Sequence, residues 1–287
     1  MKITPTQIKR SLGLHLSKTI EIDCLDSIES QNGKKILSYL TSEKFIPQLL
    51  TNKRIKVIFT TPKLAHNFNH LTSILSKNPK YDFCKFHNYL CFNSDFYTNK
   101  WNNQIDKTAI IQTNHIAKRD VSIGKNTEIN SGTVIFSRVQ IGKNVKIAPN
   151  VIIGEEGADI GKNNNKIIHA YHDGGVIIED NVVMHSTSSI KRGVFGKNTV
   201  ISKGTTIGSF VNIGHRVQVG SNCFIAPGCV LTGSSKIGSN SNLGTNSVIL
   251  NGVKVGKNCK IGAGSVVTHD VLDNQTVLGI PAKQIKK

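Results

Sequence analysis

A six-residue period runs from Ile105 to Val267 and restricts what this 287-residue chain can fold into more than any other feature. Aliphatic residues recur at Ile105, Ile111, Ile123, Ile129, Ile135, Ile141, Ile147 and Ile153, Ala117 fills the one gap, and Gly124, Gly142 and Gly154 follow directly. After an interruption the beat returns at Ile178, Met184 and Ile190. It then slips by one residue and continues through Phe195, Ile201, Ile207, Ile213, Val219, Ile225, Leu231, Ile237, Leu243, Ile249, Val255, Ile261 and Val267. A helix would repeat its apolar positions every 3.6 residues and a coiled coil every 3.5, so neither fits. β-branched residues between glycine-marked corners favour short strands instead. Repeated hexads specify a parallel β-helix, mainly β, in which three hexads make a coil of eighteen residues and coils stack about 4.8 Å apart. The first aliphatic residue of a hexad and the residue four later (Val145, Val182, Val217) face inward. The spacing leaves the handedness open. An aromatic content of 6% beside 25 glycines suits a thin prism better than an aromatic core.

Two regions depart from the beat. Gly161 to Gly175 (GKNNNKIIHAYHDGG) is polar and glycine-rich and reads as a loop thrown out from the prism, a place where function often resides. The chain up to about Asn103 has no period of six. It shows a helix-like start from Thr6 to Leu14, a strand from Val57 to Thr60, and helix-like stretches at Phe45 to Leu50 and Tyr81 to Leu90. The expected organisation is therefore a small α/β domain over 1–103 and a β-helix over 104–287 with an insertion at 161–175, joined near WNNQ (Trp101 to Gln104).

The formal charge is +18, which favours polyanions: nucleic acid, an anionic membrane face, phosphorylated substrates or an acidic carrier protein. The sign does not choose among them. Lysines are scattered in the polar corners of the repeat without interleaved aromatics, so no nucleic-acid partner is expected and a solvated surface accounts for them. The six cysteines (Cys24, Cys84, Cys91, Cys223, Cys229, Cys259) contain no Cys-x-x-Cys pair, which argues against zinc and against a disulfide framework. Cys223, Cys229 and Cys259 occupy small inward positions of the repeat and are expected to be buried thiols. No apolar run approaches the roughly 20 residues of a membrane span. The amino terminus MKITPTQIKRSLGLHL alternates apolar and charged residues, unlike a signal peptide, so a cytoplasmic location is expected.

The chain resembles the UDP-3-O-acylglucosamine N-acyltransferases of lipid A synthesis, a family of hexapeptide-repeat acyltransferases. In the amino-terminal part the resemblance rests on LSYLTSEKF (Leu37 to Phe45), VIFTTPKLA (Val57 to Ala65) and NPKYDFCKF (Asn78 to Phe86), similar to that family's uridine-binding domain. In the repeat it rests on GGVIIEDNV (Gly174 to Val182), KRGVF (Lys191 to Phe195), VNIGHRVQVG (Val211 to Gly220) and TGSSKIG (Thr232 to Gly238). The resemblance implies a left-handed helix and a homotrimer with ligands bound between subunits.

It also implies roles for particular residues. His215 matches the family's catalytic histidine. It stands two positions after Ile213 and hence outside the apolar interior, and a neutral imidazole can take the proton from a sugar amine attacking a thioester. Gly233, one coil of eighteen residues further on, matches the position whose N–H faces the developing oxyanion. The family sandwiches uracil between two aromatic residues, here Tyr39 and Phe45, with Ser42 replacing its amide side chain. His172 matches a further histidine near the substrate.

Departures accompany these matches. The family's second histidine corresponds to Gly252, and the Ile-Asp-Asn before the catalytic strand reads Ile207-Gly208-Ser209, so an acid orienting His215 must come from elsewhere. The chain ends at GIPAKQIKK (Gly279 to Lys287), similar to sugar acetyltransferases that use acyl-CoA, where lipid A members continue into a helical extension. The expected activity is transfer of an acyl group from acyl carrier protein or acyl-CoA to the amine of a UDP- or dTDP-linked amino sugar, in lipid A or cell-surface glycan synthesis. A short-chain N-acetyltransferase of O-antigen or capsule synthesis is a second expectation. The donor is a co-substrate, no cofactor is permanently bound and no metal is required. A non-catalytic scaffold or polyanion-binding β-helix is the rival of a different class, motivated by the charge and the lost family residues.

Overall fold

The computed structural model describes residues 1–30, 33, 35–68, 70–97 and 101–285. Lys286 and Lys287 of the GIPAKQIKK ending lie outside the described residues. The chain divides into two compact units, one formed by Met1–Asn99 and Ala158–Asp173, the other by Lys100–Gly157 and Gly174–Lys287. Among the described residues no helix is long and apolar enough to cross a membrane.

The first unit is α/β. Strand β1 (Lys2–Ile3) pairs antiparallel with β2 (Ile20–Glu21), and β3 (Cys24–Leu25), β4 (Ile36–Tyr39), β5 (Ile55–Thr60) and β6 (Thr72–Leu75) form a parallel sheet in that order. The helices are α1 (Pro5–Leu12), α2 (Ile46–Thr51), α3 (Pro62–Ala65) and α4 (Pro79–Asn93). Helix α1 starts where Thr4 and Gln7 satisfy each other's amides in a capping box, and it stops at Gly13, whose φ of 72° is left-handed. The apolar β4 and β5 form the middle of the sheet, and Phe83 and Phe86 of α4 pack their rings 6.4 and 6.3 Å from that of Phe59. The sequence predicts α4 and β5 correctly in place, each two residues shorter at its start than observed. The segment expected as a loop is instead a two-stranded antiparallel hairpin, Ile160–Asn163 with Lys166–His169. Asn164 adopts φ 35° at its turn, a conformation asparagine tolerates.

The second unit is a parallel β-helix whose short strands stack, among the described residues, into three ladders of 10, 8 and 7 strands, the last strand of the ten, Ala282–Gln284, folding back antiparallel. Its interior is the row of aliphatic residues read from the repeat, including Val145, Val182 and Val217, all fully buried. Ile105 departs from this pattern, at 49% exposed, because its coil is the first of the stack and has only one neighbour. The corners take left-handed backbone. Among the described residues of this unit, nine of the sixteen non-glycine residues with positive φ are asparagines, among them Asn126, Asn144 and Asn181, which explains the recurrent Gly-Lys-Asn triplet. Asn126 donates its side-chain amide to Asn144, and Asn144 to Asn181, so these corners also bond along the stack.

Small polar residues line the interior corners. Thr127, Thr133, Thr205 and Ser241 donate their hydroxyls to backbone carbonyls, and Cys223, Cys229 and Cys259 do the same with their thiols at 3.2, 3.1 and 3.0 Å. Burial pushes the Cys223 and Cys229 thiols up from their ordinary pKa. Cys229→Ser should therefore keep the bond to Gly244 and fold normally. Cys229→Val fits the space, as Val211 does one coil earlier, but loses the donor, and chemical denaturation should show a loss of about 0.5–1.5 kcal/mol.

The ladder registers correct one reading of the repeat. Val121 pairs with Val139, eighteen residues on, but Val139 pairs with Val176, thirty-seven on, and Val176 with Thr199, twenty-three on. The apparent one-residue slip at Phe195 is thus five extra residues in one coil. Phe195 does not continue the beat but sits in the enlarged corner at φ 59°. That corner and the departure point of the 158–173 segment lie on the same ladder, after strands Ser189–Lys191 and Ile152–Glu155. Glu155 pairs with Lys191 and Glu156 with Arg192, and the Arg192 N–H donates to the Glu155 carbonyl, which ties the two irregular corners together.

Candidate functional site

The next strand of that ladder, Asn212–Ile213, carries His215. Gly214 and His215 form the corner, Arg216 completes it at φ 62°, and the side chain of His215 is half-buried, outside the apolar interior. The backbone at Arg216 is held by the Thr199 hydroxyl, which accepts its N–H at 2.8 Å. This left-handed conformation is the ordinary one for a corner of the prism, shared by Arg138 at φ 64°. The Arg216 guanidinium lies 5.8 Å from the centre of the Phe195 ring, a cation–π contact to the enlarged corner one coil below.

One coil above His215 is Gly233. A Cβ built on Gly233 would lie 2.6 Å from both Cε1 and Nε2 of the His215 ring and 3.1 Å from Oδ1 of Asn251, one coil further on. The imidazole therefore packs edge-on against the glycine backbone in space that any other residue would fill. Among the described residues nothing accepts the Gly233 N–H, whereas the flanking amides of Thr232 and Ser234 donate to the carbonyls of Ile249 and His215. A half-buried imidazole, an uncommitted amide and a guanidinium thus share one face of the prism. Such a set can remove a proton and offer a hydrogen bond to new negative charge. Gly252, where the resembled family has a second histidine, donates its N–H to the Gly233 carbonyl and offers no side chain.

Tyr39, Ser42 and Phe45 belong to the first unit. Tyr39 ends β4, Ser42 precedes a 3-10 turn over Glu43–Phe45, and Phe45 leads into α2, so the three lie at the carboxyl edge of the parallel sheet, where open α/β sheets bind ligands. All three are half-buried. The Tyr39 ring packs 4.9 Å from that of Phe83, Lys80 Nζ stands 6.0 Å from its centre, and Lys44 Nζ lies 4.8 Å over the Phe45 ring. The edge is polar as well as aromatic: Thr60 ends β5, and Ser76 just beyond β6 donates to Asp82 at 2.5 Å and accepts the Asn78 N–H.

His172 follows the hairpin in the first unit, 1% exposed, with Nδ1 3.0 Å from the Ala170 carbonyl oxygen. Sequence reasoning overlooked its neighbourhood. His87, Cys91 and Asp173 bring an imidazole, a thiol and a carboxylate within 4.8 Å of one another. Burial pulls the His87 pKa down to about 4, so its ring is neutral near pH 7, and burial raises the Tyr97 phenol beside it. The four-residue spacing of His87 and Cys91 on a helical stretch was the one available signal, since Asp173 is more than eighty residues away. Arg216 could have been found from its place beside His215. Asn251 could have been found by adding eighteen twice to 215.

Residues 198–233 and 234–269 match the family model described as bacterial transferase hexapeptide (six repeats), so the carboxyl half of the prism is a hexapeptide repeat of the bacterial transferase type. No curated protein matches the chain. Among solved structures it is similar to a UDP-N-acetylglucosamine acyltransferase from Campylobacter jejuni, at 24% identity and a TM-score of 0.55, covering 64% of this chain and 74% of that one. It is also similar to LpxA from Acinetobacter baumannii (22% identity, TM-score 0.50, 64% and 74% covered). A third is LpxA from Bacteroides fragilis, a UDP-N-acetylglucosamine acyltransferase (19% identity, TM-score 0.50, 63% and 74% covered). At these identities the likeness is one of fold, and the fold is the left-handed parallel β-helix.

Proposed function

We propose that the protein is an acyltransferase that moves an acyl group from a thioester, carried by acyl carrier protein or coenzyme A, to the amine of a nucleotide-linked amino sugar. The observation that carries this reading is the His215 ring lodged against Gly233, with the Gly233 amide uncommitted, on a hexapeptide repeat of the bacterial transferase type. In this reading His215 takes the ammonium-forming proton as the amine attacks the thioester carbonyl. The Gly233 N–H donates to the tetrahedral oxyanion, and collapse expels the thiolate, which leaves as the free thiol after receiving that proton. Such chemistry requires no metal. Tyr39 and Phe45 hold the nucleobase at the carboxyl edge of the sheet with Ser42 supplying a polar contact, His172 lies on the sugar side, and lysines from the +18 excess meet the diphosphate. The active form is a homotrimer in the cytoplasm. The similar structures from Campylobacter jejuni and Bacteroides fragilis are UDP-N-acetylglucosamine acyltransferases, and transfer to a hydroxyl of a nucleotide sugar would use the same two groups.

The experiment is release of free thiol from a panel of acyl-carrier and acyl-CoA donors, offered UDP- and dTDP-sugars bearing either an amine or only hydroxyls at the reacting carbon. Turnover confined to amine acceptors is the expected result. Turnover with hydroxyl acceptors alone would assign O-acylation, and none with any donor would leave the polyanion-binding prism standing. For the nucleotide site, Tyr39→Ala should weaken binding of the accepted nucleotide sugar by about 1–3 kcal/mol in calorimetry, the worth of one base–aromatic stack. Unchanged affinity would remove Tyr39 from the site.

A further inference from the structure

The strand registers that put Leu231 over Ile213 and Ile249 over Leu231 also put positions 215, 233 and 251 in one column at the corner of the prism. Glycine leaves a gap in that column. The point where a Gly233 Cβ would stand is 2.6 Å from His215 Nε2 and 3.1 Å from Asn251 Oδ1, so a group held in the gap touches both side chains. The backbone of Asn251 is fixed without help from its side chain. The Gly252 N–H donates to the Gly233 carbonyl and the Val253 N–H to the Leu250 carbonyl, and it is Gly252 that takes the left-handed φ of 75°. Asn126, Asn144 and Asn258 spend their carboxamides on the asparagine of the next coil. By contrast, among the described residues nothing hydrogen-bonds the exposed carboxamide of Asn251. His269, next in the column, is engaged with the Thr268 hydroxyl at 2.8 Å. The last bond of an asparagine turns between two amide orientations at little cost, so the donor Nδ2 can take the place that Oδ1 holds.

We propose that Asn251 is a catalytic residue, the second hydrogen-bond donor to the thioester oxyanion beside the Gly233 N–H. The inference rests on the acyl-transfer reading above and names a further group that stabilises its charged intermediate. As the lone pair of the acceptor forms its bond to the thioester carbon, the π pair of the carbonyl moves to oxygen. That oxygen accepts from the Gly233 N–H and from Asn251 Nδ2–H while His215 holds the proton of the acceptor. Collapse restores the carbonyl and breaks the carbon–sulfur bond, and the sulfur receives the proton from His215. Asn251 gives up no proton, so the balance of the step is unchanged by it. A single backbone amide would leave the other lone pairs of the oxyanion to water, and the carboxamide is the side chain that shares the gap with the base. The competing account is plain corner packing. Asn150 over Gly132 and Asn246 over Gly228 are of that kind, and there the atoms nearest the glycine are those of the asparagine itself.

In the full-length protein, Asn251→Ala should lower kcat for free-thiol release by about 10–10²-fold at unchanged KM for donor and acceptor. The fall is smaller than the roughly 10²–10³-fold cost of losing an enclosed oxyanion donor, because water reaches this exposed position and takes over part of the bond. Asn251→Asp keeps the shape and sets a carboxylate against the oxyanion, so near neutral pH its rate should lie below that of the alanine variant. Asn251→Gln keeps the donor on a longer arm and should recover part of the rate. Circular dichroism and thermal melting of all three should match the wild type, since the corner is held by backbone bonds. Equal rates in the Asp and Ala variants, a loss confined to the KM of the nucleotide sugar, or an undiminished rate in Asn251→Ala would each overturn the assignment. His215→Ala keeps two failures apart. If the wild type turns over, His215→Ala does not and Asn251→Ala is undiminished, the transfer reading stands without Asn251. If the wild type is silent with every donor and acceptor, both fall together.

Discussion

Replacing His215 with alanine is expected to lower thioester-dependent transfer by about 10²–10⁴-fold, the usual worth of a positioned general base. The loss should come without unfolding, because the imidazole stands outside the buried row of Ile213 and Leu231 and it is the backbone carbonyl of His215, not its ring, that accepts the Ser234 N–H and continues the ladder. Circular dichroism and sedimentation should therefore match the wild type while free-thiol release falls to the level of donor hydrolysis. Arg216 is the informative neighbour. Its guanidinium faces Phe195 in the enlarged corner, so Arg216→Gln tests charge on the same face while leaving the imidazole in place. If His215→Ala transfers acyl groups undiminished, the proton is taken elsewhere and the reading fails at its centre.

The prism was legible because each of its coils repeats the same physical solution. An aliphatic residue every sixth position can be buried by one architecture only, and the eighteen-residue coil that follows from it puts position 233 beside 215 and 251 beside 233, as the geometry around Gly233 has it. Legibility ended where the repeat is broken. An insertion of five residues and a deletion of one are indistinguishable at a period of six, so the corner at Phe195 was read as a slip, and the register of Val176 with Thr199 resolves it. The hairpin was read as a loop because Lys162 and Asn163 give it no apolar face of its own; its strand pairing, Ile160 with His169 and Asn163 with Lys166, rests on backbone bonds. In the first unit, β5 and α4 carried strong local signals, whereas β3, two residues long, carried none. The His87, Cys91 and Asp173 group is a product of tertiary packing, invisible to any scan for close-spaced ligands.

Gly233→Ala should be the most discriminating substitution in the prism. No left-handed φ is required at this glycine, so the backbone accepts alanine, and the amide remains available as a donor. What changes is space: the new methyl would stand 2.6 Å from Cε1 and Nε2 of His215, well inside van der Waals contact, and Asn251 at 3.1 Å closes the other side. The ring must turn away by roughly an ångström, a displacement that costs on the order of 10²-fold when a reacting group is involved. The expected result is a fall of that size in kcat with little change in KM for either substrate, since the proposed reading assigns binding of the nucleotide to Tyr39 and Phe45 and not to this corner. Stability should change by less than about 1 kcal/mol in denaturation, because the methyl meets a half-buried side chain at a corner and not the packed interior. Two outcomes would separate the roles. A loss confined to KM would mean that Gly233 lines the path of a substrate without bearing on the proton transfer. An unaltered rate would mean that the reacting carbonyl does not approach the gap between positions 215 and 233, and the assignment of the Gly233 amide as oxyanion donor would fall with it.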